Sequence, residues 1–208
     1  MTTQSQPNEA SPAAQAEAAR QAILKGLDGR HIVLVGLMGA GKTAMGRVIA
    51  SRLGLPFVDS DDEIETASTM AIADLFESYG ESEFRDLERR VIARLLGEQQ
   101  RVVSLGGGAF INDETRAAIG AGGFSIWIDA DLDLLFARVS RKPGRPLLQN
   151  PDPRGTLARL MDERYPIYAQ ADLRVCSEDL PRDAMAAKMI EAMAGHFSET
   201  KESTYEPE

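Results

Sequence analysis

Residues 36–43 read Gly-Leu-Met-Gly-Ala-Gly-Lys-Thr, and this stretch decides the fold. It follows an apolar run at 31–35 and opens a predicted helix at 42–53, which is the strand–loop–helix context that the GxxxxGK[ST] pattern requires. The glycines let backbone N–H groups turn inward around phosphate oxygens, and the helix adds the positive end of its dipole. Lys42 can reach the β- and γ-phosphates, and the Thr43 hydroxyl can bind magnesium. The stretch therefore predicts a P-loop for a nucleoside triphosphate.

The composition is that of a globular chain of one domain. Its 208 residues can bury a sizeable core, and 43% hydrophobic with 26% charged residues is ordinary for such a chain. The longest apolar runs are too short to cross a bilayer, and the first residues resemble neither a signal nor a transit peptide. A net charge of −9 argues against nucleic-acid binding. With a single cysteine, Cys176, we expect a cytoplasmic protein without a membrane or nucleic-acid partner.

Short β-branched runs alternate with helical patterns between residues 30 and 198, which predicts a five-stranded parallel sheet with helices on both faces. The predicted strands are 31–35, 56–58, 101–105, 124–128 and 173–176, and the predicted helices are 42–53, 72–78, 82–96, 113–119, 131–140, 154–170 and 182–197. This is an α/β fold of the P-loop NTPase class. We expect residues 1–29 to be a flexible tail with at most a short helix at 13–24, and residues 199–208 to be a second tail.

Two further strands are followed by residues suited to a ligand. A triple glycine, residues 106–108, ends the third predicted strand, where its N–H groups could approach an anion or hydroxyl closely. A flexible turn that binds no ligand is the alternative interpretation of the same three glycines. Asp59 and Asp61 follow the second strand, and in extended chain they would point to one side. They could serve magnesium through water and an acceptor hydroxyl, or they could be an acidic turn that caps the next helix.

Arginines supply candidate anion receptors. Arg85 and Glu88 lie three apart on a predicted helix, so that Glu88 can hold a guanidinium whose fork matches a carboxylate. A surface ion pair is the alternative. Arg145 lies in a loop rich in Lys, Pro and Gly, residues 141–153, which we interpret as a lid that excludes water and neutralises the transferring phosphoryl group. The whole region 138–164 is basic in an acidic protein, which favours a small anionic ligand.

In chain order, the segments GLMGAGKT, FVDSDDEIE, FRDLE, SLGGG, RPLL and RYPIY resemble the motifs of shikimate kinases, over about residues 31–195. The resemblance implies transfer of the γ-phosphoryl group of ATP to the 3-hydroxyl of shikimate, within aromatic amino-acid biosynthesis. It implies one Mg²⁺ ion bound with ATP, a fold like that of nucleoside monophosphate kinases, and a monomer. One departure is that Glu178 and Asp179 stand where the family closes over adenine with basic or amide side chains.

The resemblance also assigns roles to individual residues. The ATP-binding residues that it implies are Gly39, Ala40, Gly41, Lys42, Thr43, Ala44, Arg138 and Arg145, with Arg138 stacked on adenine and Arg145 in the lid. The shikimate-binding residues are Asp61, Arg85, Gly107 and Arg164, with the two arginines on the carboxylate. Catalysis falls to Lys42, Asp61 as base, and Arg145. Thr43 would bind the metal ion, with Asp59 supporting it from behind.

Three alternatives remain at this point. Another small-molecule kinase of the same architecture, such as a gluconate kinase, would share the P-loop. A P-loop GTPase switch would need an Asn-Lys-x-Asp guanine-reading motif, and the sequence has none. A regulatory domain that has lost its chemistry is disfavoured by the intact Lys42, Thr43, Asp61 and Arg145.

Overall fold

The computed structural model describes residues 11–141 and 150–202, with the side chains of 200–202 left aside. Its centre is a sheet of five parallel strands in the order β2-β3-β1-β4-β5. The strands are β1 (His31–Val35), β2 (Phe57–Asp59), β3 (Val102–Ser104), β4 (Gly123–Asp129) and β5 (Leu173–Cys176). The predicted parallel α/β sheet is confirmed, with each strand end at or within one residue of its predicted position.

Eight α-helices surround the sheet in the described part of the chain. They are α1 (Pro12–Leu27), α2 (Lys42–Leu53), α3 (Ser60–Ser68), α4 (Ile72–Leu96), α5 (Asp113–Gly122), α6 (Leu132–Ser140), α7 (Pro153–Tyr168) and α8 (Arg182–Glu202), and a short 3₁₀ helix spans Ala109–Ile111. α1, α2 and α8 pack on one another, whereas α5 packs on α4 and α7 on α6. All five residues of β1 are buried, because both faces of the central strand are covered.

The strand order positions the functional site. The chain leaves β1 for β2 and β3 on one side, and later reaches β4 and β5 on the other side. In open α/β sheets, ligands bind at the carboxyl ends of the strands beside such a change of direction. The P-loop joins β1 to α2 at this point, so the fold places it at the centre of the crevice.

The short helix expected at 13–24 is present and longer, but the expectation that it belongs to a flexible tail over residues 1–29 is wrong for residues 12–27. These residues form α1, with Ser11 accepting a hydrogen bond from the Ala14 N–H as N-cap and Pro12 in the first turn. Ile23 and Leu27 are fully buried, and Phe197 of α8 fills the space beside Gly26. The helix is therefore part of the core, because an apolar pair four residues apart covers α8.

Three smaller differences concern helix limits. The helices expected at 72–78 and 82–96 form one element, α4, with Gly80 at φ 79° and ψ 175° as an interruption. A helix that was not predicted, α3, begins directly after β2. α8 continues to Glu202 and so includes the first residues of the expected C-terminal tail. No helix in residues 11–141 and 150–202 has the length and apolarity to span a membrane.

Candidate active site

Glycines allow the backbone turn of the P-loop, and the Lys42 side chain lies inside that turn. Gly39 and Gly41 have φ of 87° and 99°, a conformation that residues with a Cβ rarely adopt. α2 starts at Lys42, so its N-terminal N–H groups and dipole face the loop. The Lys42 side chain is 9% exposed, and its Nζ donates to the carbonyls of Gly36 (2.8 Å) and Leu37 (3.1 Å). The ammonium group thus lies inside the loop that the sequence predicts for phosphates.

The Asp59 carboxylate links α2 and α3 through two hydrogen bonds. Its Oδ2 accepts a hydrogen bond from the Thr43 hydroxyl at 2.8 Å, and its Oδ1 accepts one from the Asp61 N–H at 3.1 Å. The carboxylate is 8% exposed, and it is the N-cap of α3. An oxygen pair of hydroxyl and carboxylate beside phosphate-binding N–H groups suits a hard cation such as Mg²⁺.

Asp61 lies on a helix and not on an extended strand end. It belongs to the first turn of α3, so the expected extended chain from Asp59 to Asp61 is wrong, yet both residues line the same cavity, as their expected common side implied. Burial and, to a smaller extent, the neighbouring Asp59 raise the pKa of Asp61 to about 6, although Lys42 opposes the change. A carboxylate with such a pKa is ionised at neutral pH and can still take up a proton.

The triple glycine is a loop that passes directly against site side chains. The Gly106 N–H donates to the buried Ser60 hydroxyl at 3.0 Å. A Cβ on Gly106 would lie 2.6 Å from Asp61 Oδ1 and 2.9 Å from Glu88 Oε1, and one on Gly108 would lie 2.5 Å from Arg85 Nη1. A side chain at either position would displace Asp61, Glu88 or Arg85 from its observed place.

Arg85 and Glu88 form the predicted pair. Arg85 Nη1 donates to Glu88 Oε2 at 2.7 Å, and Arg85 Nη2 lies 3.2 Å from Glu81. Glu88 is 3% exposed, which shows that the pair is more than a surface contact. Burial raises the pKa of Glu88, and the Arg85 guanidinium opposes this rise. The buried carboxylate fixes the direction of the guanidinium beside Gly108.

Arg164 reaches the same loop from α7. Its Nη1 donates to the Gly107 carbonyl at 3.1 Å. The position of a Cβ on Gly107 lies 3.6 Å from the Met38 N–H nitrogen and 3.8 Å from Arg164 Nη1, so the glycine loop, the P-loop and this arginine meet. Arg85 and Arg164, which are far apart in sequence, therefore flank one three-residue loop.

A cavity of about 540 Å³ runs from the P-loop along the edge of the sheet. Among the residues predicted for the site, Gly39–Ala44, Asp59, Asp61, Gly107 and Arg138 line this cavity. Arg138 Nη1 donates to Ser177 Oγ at 3.0 Å and its Nη2 to the Glu178 carbonyl at 3.0 Å, so it spans the cavity between the P-loop and the segment after β5. Arg145 lies outside the described residues.

Sequence reasoning missed several lining residues. Ser177, Leu180, Arg182 and Met185 line the cavity from the segment after β5 and the start of α8. The acid Glu178 points its carboxylate at Lys188 instead. Met38 of the P-loop and Arg141 at the start of the expected lid also line it. Ser177 and Leu180 flank Glu178 and Asp179, which we compared in the sequence with the adenine-side segment of the family, whereas Arg182 and Met185 lie outside every segment singled out there.

A P-loop on the central strand, a hydroxyl hydrogen-bonded to a buried carboxylate and two arginines around a glycine loop define a class. They are the parts of a phosphotransferase that brings a nucleoside triphosphate together with a small anionic acceptor. The shikimate kinase family model matches residues 38–194. The chain belongs to the shikimate kinase family.

Individual relatives agree with this assignment. The shikimate kinase of Brucella canis is 58% identical over 171 residues, which cover 82% of this chain and 86% of that protein. The structure of shikimate kinase from Acinetobacter baumannii in complex with shikimate has a TM-score of 0.78 at 32% identity, covering 83% of this chain and 97% of that one. A gluconokinase from Sinorhizobium meliloti 1021 has a TM-score of 0.53 at 16% identity, covering 85% and 98%, and shares the fold alone.

Proposed function

We propose that this protein transfers the γ-phosphoryl group of ATP to the 3-hydroxyl of shikimate, a step of aromatic amino-acid biosynthesis. The observation that carries the proposal is the pair of arginines, Arg85 and Arg164, around Gly106–Gly108, a loop that also lies against Asp61 and the P-loop. A small acceptor with one carboxylate and several hydroxyls matches two guanidinium groups, one carboxylate and backbone N–H donors.

On the acceptor side, Arg85 and Arg164 bind the shikimate carboxylate and so fix the ring. The Gly107 backbone contributes a further contact. Asp61 accepts a hydrogen bond from the reacting hydroxyl and takes its proton late, because phosphoryl transfer passes through a loose transition state that needs little deprotonation beforehand. Its raised pKa of about 6 is suited to that role.

On the donor side, Gly39, Ala40, Gly41 and Ala44 hold the phosphates with backbone N–H groups, and Lys42 follows the charge between the β- and γ-phosphates. The residues present fit a Mg²⁺ ion bound with ATP, since Thr43 offers a hydroxyl backed by the Asp59 carboxylate. When bound, the ion would neutralise charge on the phosphate oxygens. Thr43 would ligate it, and Asp59 would keep that hydroxyl oriented.

The remaining assignments complete the proposal. Arg138 lies against the adenine, and Arg145, in a lid of residues 141–153, neutralises the transferring group and excludes water so that ATP is not hydrolysed. Residues 30–198 hold the motifs of the catalytic domain, and α1 (Pro12–Leu27) belongs to the same core. We place the enzyme in the cytoplasm, because a single cysteine fits a reducing compartment, and we infer that it acts as a monomer.

A coupled ADP-release assay across hydroxylated acceptors tests the proposal. We expect turnover with shikimate, none above background with gluconate, and loss of turnover in Lys42→Ala. A matched control is Lys188→Ala, because Lys188 pairs with Glu178 and contacts neither the P-loop nor the glycine loop. Robust turnover with gluconate and none with shikimate would refute the assignment of the acceptor.

A further inference from the structure

Two tyrosines on α7, three residues apart, donate hydrogen bonds to different backbone carbonyls. The Tyr165 hydroxyl donates to the Ala130 carbonyl, and the Tyr168 hydroxyl donates to the Gly107 carbonyl. Tyr168 is fully buried, and its ring packs among Phe110, Trp127 and Tyr165. The two hydroxyls thus have the same chemistry, but only that of Tyr168 reaches the glycine loop.

The Gly107 carbonyl receives two donors. Arg164 Nη1 donates to it at 3.1 Å, in addition to the Tyr168 hydroxyl, and Tyr168 also interacts directly with Arg164. A carbonyl oxygen has two lone pairs, so this arrangement uses its full capacity. The phenol therefore ties a backbone group and a side chain of the acceptor side together.

Fixing this carbonyl has a geometric consequence. The peptide between Gly107 and Gly108 is planar and trans, so its N–H points in the direction opposite to its C=O. Glycine residues impose little conformational preference of their own, and the direction of this peptide depends on its hydrogen bonds. A donor on the buried side of the loop therefore sets the direction in which the Gly108 N–H points on the other side.

The hydroxyl is not needed to fill space. A phenylalanine ring at position 168 would make the same contacts with Phe110 and Trp127. Burial raises the pKa of Tyr168 to about 12, so the hydroxyl keeps its proton and stays a donor at neutral pH. A buried polar group at this place is explained by its acceptor, the Gly107 carbonyl.

We propose that Tyr168 is a positioning residue for the acceptor: its hydroxyl orients the Gly107–Gly108 peptide and the Arg164 guanidinium for shikimate. The inference rests on the proposed function, since it refines the acceptor side of the same site. It leaves the nucleotide side unaffected, because Tyr168 lines neither the P-loop nor the cavity along it.

The test compares Tyr168→Phe with Tyr165→Phe, which removes the matched hydroxyl from the other carbonyl. We expect Tyr168→Phe to raise the KM for shikimate by about 5- to 10-fold, the effect of losing one buried hydrogen bond, with the KM for ATP within about twofold. Tyr165→Phe should leave both KM values within about twofold. Isothermal titration of shikimate without ATP should show the same difference in Kd.

Two outcomes separate this inference from the proposed function. If the wild-type enzyme phosphorylates shikimate and Tyr168→Phe has unchanged KM and Kd for it, the positioning role is refuted alone. Equal rises in both variants, or equal losses for ATP and shikimate, would also refute it, because they indicate a general loss of structure. If the wild type neither binds nor phosphorylates shikimate, the proposed function is refuted together with the inference.

Discussion

Replacing Gly108 with alanine is a steric probe of Arg85. Gly108 has φ −96° and ψ −17°, a conformation that alanine adopts without strain. The added Cβ would lie 2.5, 2.6 and 2.7 Å from three atoms of the Arg85 guanidinium, whereas ordinary contact starts near 3.4 Å. The backbone can therefore stay in place, but the guanidinium has to move by about 1 Å, away from its hydrogen bond with Glu88.

The expected magnitude follows from the contact that is lost. Charge-assisted hydrogen bonds contribute about 1.5–3 kcal/mol. At about 1.4 kcal/mol per factor of ten, misdirecting one guanidinium should raise the KM for shikimate by about 10- to 150-fold. A displacement of about 1 Å in a positioning group is sufficient for effects of this size. The KM for ATP should change by less than about twofold, because the P-loop is not displaced.

The assay is steady-state kinetics with each substrate varied in turn, together with thermal unfolding. Gly120→Ala is the matched control, because a Cβ there meets nothing within 4 Å. It should leave both KM values unchanged. A Gly108→Ala enzyme with wild-type KM for shikimate would refute the role of Arg85 as carboxylate receptor, and a rise in the KM for ATP alone would assign Arg85 to the nucleotide.

Three further predictions concern other parts of the molecule. Because burial and Asp59 raise the pKa of Asp61 to about 6, kcat/KM for shikimate should fall as the pH drops through that value. Ionisation of this carboxyl group lowers the free energy of unfolding as the pH rises through about 6. Asp61→Asn should therefore have a higher denaturant midpoint than the wild type at about pH 8, and the same midpoint below the ordinary pKa of 3.8. Equal denaturant midpoints of the two proteins at every pH would contradict this. Thr43→Val should lower Mg²⁺-dependent turnover by about 100-fold or more. Thr43→Ser keeps the hydroxyl and should retain most of the activity. Equal kinetics of the two variants would exclude metal binding by Thr43. Ile23→Ala should lower the free energy of unfolding by about 2–5 kcal/mol. Denaturant unfolding measures this change, with Gln21→Ala at an exposed position of α1 as the control. A loss below about 0.5 kcal/mol would show that α1 is not part of the core.

The donor side of the site could be predicted from sequence because its function lies in contiguous backbone. Residues 36–43 supply strand end, turn and helix start in one segment, and α2 was predicted with its observed limits. The pairing of Arg85 with Glu88 was equally accessible, since it depends only on helical spacing. Local geometry is readable wherever the partners lie within one turn of each other.

Features that depend on long-range packing could not be predicted in this way. The steric need for glycine at 106 and 108 arises from Asp61 and Arg85, which come from other helices. In the sequence, Tyr168 cannot be distinguished from any other aromatic residue on a helix, because its hydrogen bond to the glycine loop depends on where α7 packs. Arg182 and Met185 enter the cavity only because α8 starts at the edge of the sheet.

The error at the N-terminus had a different origin, because the local signals were present. Ser11-Pro12 is an N-cap followed by proline in the first turn, and Lys25 lies in the last turn. The polar, Ala-rich composition of the segment outweighed these signals in favour of a tail. What decides its state is burial of only two side chains, Ile23 and Leu27, against α8.

Asp59 has a consequence for how the two substrates communicate. One of its oxygens accepts the hydroxyl of Thr43 on the nucleotide side, and the other accepts the N–H of Asp61 on the acceptor side. Asp59 also contributes to the raised pKa of Asp61. A change in the bonding of Thr43 should therefore alter the electric field at Asp61, the proposed base. Nucleotide affinity and acceptor affinity should be coupled through this one carboxylate, and thermodynamic reciprocity requires each ligand to change the affinity of the other by the same factor.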